Sequence, residues 1–223
     1  MKLSKEQIAK INETLVLNGV VYDDIKLELT DHIASEIENN IGENDILFEK
    51  AFIHAFENWK EQLRPSSSKW LGSKNIVPRI VIDKMILNSK KLILIAIVFV
   101  IITTTALTVL VRNFNNEIAI ESIRMVLRIV FLLELFFIVV CKYLIWKSKS
   151  VTSFGFIYKK LNISALGLLF LLGIGLMPLM RTKVNLEINL SSNFLTSIYF
   201  IWPLCYIKLA FNHFQFERKL SKV

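Results

Sequence analysis

Cysteine is nearly missing from this chain: Cys141 and Cys205 are the two among 223 residues, and both fall within or beside apolar runs. That excludes a disulfide framework and a cysteine-ligated zinc site. Catalytic patterning is missing as well. No H-E-x-x-H, no paired aspartates and no Ser/His pair falls within an apolar run. A lone acid catalyses poorly without a partner, so neither an enzyme nor a cofactor is expected. The first 90 residues open on a polar, charged segment rather than the short apolar core of a signal peptide. The amino-terminal region is therefore expected to stay on the side where it is made.

Formal charge is absent from one stretch, Leu92 to Val111 (LILIAIVFVIITTTALTVLV), which Lys90, Lys91 and Arg112 flank. At about 1.5 Å per residue a helix of this length covers the roughly 30 Å hydrocarbon thickness of a bilayer. Further apolar runs at 126–145, 161–180 and 194–209 read as three more spans. The net charge of +8 is unevenly spread: residues 1–63 carry 6 Lys/Arg against 13 Asp/Glu, and the remainder carries 21 against 6. An acidic head on a basic, lipid-dwelling body follows. The expected architecture is all-α: a small three-helix cytoplasmic domain over 1–64, a linker and interfacial segment over 65–90, a four-helix transmembrane bundle over 91–212, and a basic tail over 213–223.

Ser4 and Gln7 form a reciprocal capping pattern, Ile8, Ile11 and Leu15 recur at helical spacing, and Asn18-Gly19 ends the run. The second helix carries the stripe Ile25, Leu29, Ile33 and Ile37 behind Asp23 and Asp24, and Asn39-Asn40-Ile41-Gly42 closes it. A third, over 45–63, offers Phe48, Ala51, Phe52, Ala55, Phe56 and Trp59 as its buried face. Glu28, Asp31, His32 and Glu36 stack on the second helix. With His54 they have some of the chemistry of a metal site, but one helix seldom closes a coordination shell. The four are read as a solvated acidic face and candidate partner-binding surface, with no metal.

Tyr22-Asp23-Asp24-Ile25, Glu28-Leu29-Thr30-Asp31-His32-Ile33, Glu36-Ile37-Glu38 and Phe48-Glu49-Lys50-Ala51-Phe52 resemble the bacterial HAAS-like or permease-prefix domains, short helical cytoplasmic modules that precede transmembrane segments and are often associated with PadR-type regulators. The likeness covers about the first third of the chain. It implies signalling or regulation at the membrane and brings no catalytic residues.

Arg64-Pro65-Ser66-Ser67-Ser68 breaks the chain, and 76–87, interrupted by Arg79, Asp83 and Lys84, reads as a segment lying along the interface. Lys142, Lys147, Lys149, Lys159 and Lys160 crowd one connection, and Lys208, Arg218, Lys219 and Lys222 the tail, against Arg112, Arg124, Arg181 and Lys183 in the other two loops. Positive-inside bias puts both termini in the cytoplasm of a bacterial inner membrane. Gly167, Gly173 and Gly175 would allow close helix approach, and Pro178 and Pro203 would kink their helices.

Glu134, in FLLELFF near the middle of the second span, is costly there unless paired, wet or neutral. It is either a proton or substrate site or a neutral acid joining helices, with Thr103, Thr104, Thr105, Ser197 or Tyr199 as candidate donors. Two functions are expected from these features. The first is a membrane-anchored regulatory protein whose head binds a protein partner; the alternative is a small transporter or permease subunit using Glu134. Nucleic acid is a poor partner for a head of this sign, and self-association stays open.

Overall fold

The computed structural model describes residues 2–72, 74–114, 116–160, 163–177, 179 and 189–220. It is helical almost throughout and divides into two compact units, residues 1–90 with 150–153, and 91–149 with 154–223.

The first unit opens with α1 (Lys5–Leu17), α2 (Asp23–Asn44) and α3 (Phe48–Leu63). Ser4 caps α1 through the expected box: its Oγ accepts from Gln7 N–H, and its own N–H donates to Gln7 Oε1 at 2.8 Å. At the other end Gly19 (φ 86°) donates to Val16 O, and Val20 to Leu15 O at 2.9 Å. That 6→1 and 5→2 pair ends a helix through a left-handed residue, which glycine adopts without a Cβ penalty. Helix α2 runs two residues past Gly42, because an interior glycine costs only about 1 kcal/mol, and stops where Asp45 turns left-handed (φ 48°).

Ile11, Leu15, Ile25, Leu29, Ile33, Ile37, Ala51 and Ala55 are buried in this unit. On α3 the alanines and Leu63 are the buried residues, while Phe48, Phe52, Phe56 and Trp59 are half-buried. The connector is more than a linker. Pro65–Ser66 (β1) and Val77–Pro78 (β2) form a two-residue antiparallel ladder, and Leu71, Val81, Ile82 and Met85 are buried. The expected interfacial segment is the start of α4 (Arg79–Asn113), one continuous helix of 35 residues that runs into the second unit at Lys91.

The second unit contains the rest of α4, α5 (Glu117–Lys147), α6 (Ser153–Lys159, from Phe154), α7 (Ile163–Gly173) and α8 (Leu190–Leu220). Among the described residues α4 and α8 are long and apolar enough to cross a membrane. Almost none of α4's apolar window is buried. Helix α5 packs on α7 and α8 around Phe131, Ile138, Ile145, Tyr158, Leu169, Leu172 and Leu209.

Of the four expected crossings, α4 and α8 are the two candidates among the described residues, and the third member is shorter than expected. Helix α7 ends at Gly173 after 11 residues, about 16 Å, too short to cross. Gly175 (φ 81°) donates to Leu172 O, and Leu176 to Leu171 O, the same termination that closes α1. Of the three glycines expected to ease packing, only Gly173 has a close neighbour that demands it: a Cβ there would lie 2.5 Å from Leu132 Cδ2. Pro178, Arg181, Lys183 and Lys222 lie outside the described residues. Helix α8 continues unbroken through Pro203 into the expected tail, where His213 is buried.

Gly19→Ala is expected to destabilise the first unit by about 1–2 kcal/mol, the cost of placing a Cβ in a left-handed residue. A thermal melt followed by circular dichroism on the full chain would detect it; an unchanged midpoint would refute the cap.

Candidate functional site

Three places in the molecule bear on function, two in the first unit and one in the second. The first is a clamp on residues 150–153, a tetrapeptide distant in sequence that belongs to the first unit. Asp23 N–H donates to Val151 O at 2.7 Å, and Val151 N–H returns a bond to Asp23 Oδ2 at 2.9 Å. Asp24 Oδ1 accepts from Ser153 N–H at 2.8 Å, and its Oδ2 is bonded to the Ser153 hydroxyl. Thr152 and Ser153 are almost fully buried. Burial pushes the Asp24 carboxyl above the usual carboxylate range, and the Ser153 hydrogen bonds, which favour the ionised form, offset only part of that. In the sequence Asp23 and Asp24 read only as charges at a helix start. Nothing local marks them as ligands of a segment some 130 positions on.

The candidate partner face on α2 is largely engaged within its own unit. Glu36 accepts from Trp59 Nε1 and Asn58 Nδ2, each at 2.8 Å, stapling α2 to α3. Glu28 pairs with Lys84 at 2.7 Å and stands 3.8 Å from His32. Asp31 and His32 remain exposed, and no metal-holding cluster occurs among the described residues.

A groove of about 660 Å³ lies instead between α1 and α3, with Phe52, Ile53 and Phe56 among its walls and Glu57, Lys60, Glu61 and Arg64 along its edge. The Phe52 and Phe56 rings are 4.7 Å apart, and Lys10 Nζ lies 5.0 Å from the Phe52 ring centre. Leu17, 80% exposed, and Val16 extend the apolar surface. Of the four aromatics expected in the core, Phe52 and Phe56 thus line a groove and Trp59 bonds Glu36 of α2, while Ala51, Ala55 and Leu63 are the buried residues of α3.

In the second unit Glu134 is 4% exposed, on the same face of α5 as Phe131 and Ile138. Both its oxygens lack a hydrogen-bond partner among the described residues. Of the five expected donors, Tyr199 makes no bond to Glu134 and the other four are occupied elsewhere. Thr103, Thr104, Thr105 and Ser197 each donate to a carbonyl four residues back, at 2.7–2.9 Å. A hydroxyl has one proton to give, so none is left for the acid. Arg128 pairs with Glu121 at 3.1 Å, a carboxylate that the Arg124 hydrogen bond holds below its ordinary range. Glu134 can therefore carry a proton, or offer a carboxylate to a small cation, in an otherwise apolar setting.

Comparison with protein-family models, with curated proteins and with solved structures returned no match.

A carboxyl whose folded pKa is raised binds its proton more tightly in the folded chain. The first unit is therefore expected to gain stability from Asp24 as pH falls from neutral through that raised value towards 3.8, and to lose it on the way back up. Comparing melting midpoints of the wild type and Asp24→Asn across this range checks the sign; identical profiles would refute it.

Proposed function

We propose that this is a membrane-anchored regulatory protein whose amino-terminal unit binds a cytoplasmic protein partner through the groove between α1 and α3. The observation that carries the reading is the groove itself: an aromatic-walled apolar surface left uncovered on a small polar helical unit. Its shape suits the apolar face of an amphipathic helix. Glu57 and Glu61 form one charged row and Lys60 and Arg64 another, which would fix that helix's direction. Overall charge is the weaker selector, since residues 64–90 add 6 Lys/Arg against one acid and offset most of the net −7 of residues 1–63. The likeness to HAAS-like domains points the same way.

The body that anchors this unit is read as crossing the bacterial inner membrane with both termini cytoplasmic. Helices α4 and α8 have the length and composition for it. Helix α5 has 31 residues, with Glu134 and Lys142 the only charges between 129 and 146.

A photo-crosslinking amino acid at Ile53 in the full chain, in native cells, is expected to capture one defined protein, and the product should disappear on Phe56→Ala. Capture from position 31 instead would return the docking surface to α2; capture from neither would end the reading.

Glu134 favours a second reading, a proton-coupled transport component. An unpaired buried acid costs the fold about 1–3 kcal/mol, so Glu134→Leu should raise the melting midpoint by several degrees while abolishing proton flux in proteoliposomes. A Glu134→Leu chain that melts lower would make the acid a structural joint.

A further inference from the structure

The last turns of α5 and α8 enclose a groove of about 740 Å³, lined by Leu144, Lys147 and Ser148 from α5 and by Phe211, Phe214, Gln215, Glu217, Arg218 and Lys219 from α8. Its floor is apolar and one end is cationic. Lys147, Arg218 and Lys219 line it together with one acid, Glu217, whose Oε1 accepts from the Ser148 hydroxyl at 2.8 Å. Cations are favourable in the last turn of any helix, but that alone does not bring those of two helices to a single cleft.

Depth is the second observation. Lys147 lies thirteen residues beyond Glu134, about 20 Å along the helix, whereas half the hydrocarbon thickness is roughly 15 Å. With Glu134 at mid-span, the cationic end falls at headgroup level and Leu144 and Phe211 at the start of the acyl region. The exposed aromatics agree. Trp146 is 75% exposed, with Tyr143 beside it at a ring separation of 6.3 Å, and Lys208 Nζ lies 5.2 Å from the outward-facing Phe211 ring. Amphipathic rings beside lysines at one level of a helix pair suit the boundary between headgroups and tails.

We propose that this groove binds one anionic phospholipid, its phosphate held by Lys147, Arg218 and Lys219 and an acyl chain laid along Leu144 and Phe211. The occupant is a lipid and not a free anion, because most of the exposed lining surface is apolar and Leu144 and Phe211 lie at the depth where acyl chains begin. A zwitterionic lipid would meet the same walls but bring a further cation to a lining that already carries three cations against one acid. The inference rests on the membrane reading of α5 and α8.

The test is native mass spectrometry of the full chain in detergent, titrated with phosphatidylglycerol and, separately, phosphatidylcholine. Phosphatidylglycerol should be retained at least tenfold more tightly, and Lys147→Gln with Arg218→Gln should weaken it roughly 30-fold. Phe211→Ala should weaken both lipids. Equal retention of the two lipids, a double variant that holds phosphatidylglycerol as before, or displacement by millimolar inorganic phosphate would each overturn the proposal. If the double variant loses helicity, Lys147→Gln alone and its recovery in Lys147→Arg decide. Carbonate extraction of membranes separates the premises: a wild-type chain stripped by carbonate sinks the membrane reading, while a retained chain without lipid preference sinks the groove alone.

Discussion

An apolar helix surface that the protein does not cover must be covered by something else, and α4 imposes that requirement on the whole molecule. Its uncharged run turns isoleucine, leucine, valine and phenylalanine outward on nearly every side. The polar atoms on it follow the same logic. Thr103, Thr104, Thr105 and Thr108 return their hydroxyl protons to the preceding turn, which leaves these threonines no proton to donate to a neighbouring helix. Among the described residues, what α4 shares with the rest of its unit is small: Leu92 packs against the core on α5, Leu107 and Val111 cluster with Ile120, and Asn193 donates to Thr108. Glu134 is the exception to this economy of polar groups, and its isolation gives it functional interest.

In the first unit the division of labour runs against side-chain size. Ala51, Ala55 and Leu63 are the residues α3 buries, and Phe52 and Phe56 are left to line a groove. The acidic residues divide in the same way. Glu36 staples two helices through Trp59 and Asn58, Glu28 meets Lys84 of the connector, and Asp23 and Asp24 fasten a segment from far along the chain. A face that looks solvated in sequence is thus partly internal wiring. Much of its charge is answered within its own unit, which shifts partner recognition towards shape and apolar contact.

Two glycines show how far local rules reach. Asn18-Gly19 announces the end of α1 because a polar residue and a glycine follow a completed amphipathic pattern. Gly175 ends α7 by the same hydrogen bonds, yet it sits in an unbroken apolar run where periodicity carries no boundary signal and glycines are ordinary. Likewise Ser4 and Gln7 declare their cap three residues apart, whereas Asp24 and Ser153 cannot declare theirs across 129.

The amino-acid order alone determined that the chain is all-α, that its first two helices bury Ile11, Leu15, Ile25, Leu29, Ile33 and Ile37, and that a helix with an uncharged run over 92–111 follows. Each of these rests on spacing within a few turns. Only the tertiary structure decided that α3 turns its rings into a groove, that residues 150–153 join the first unit, and that Glu134 finds no donor. Those outcomes depend on which side chains arrive together from distant positions, and a hydrogen bond or a packing gap exists only once both sides are in place.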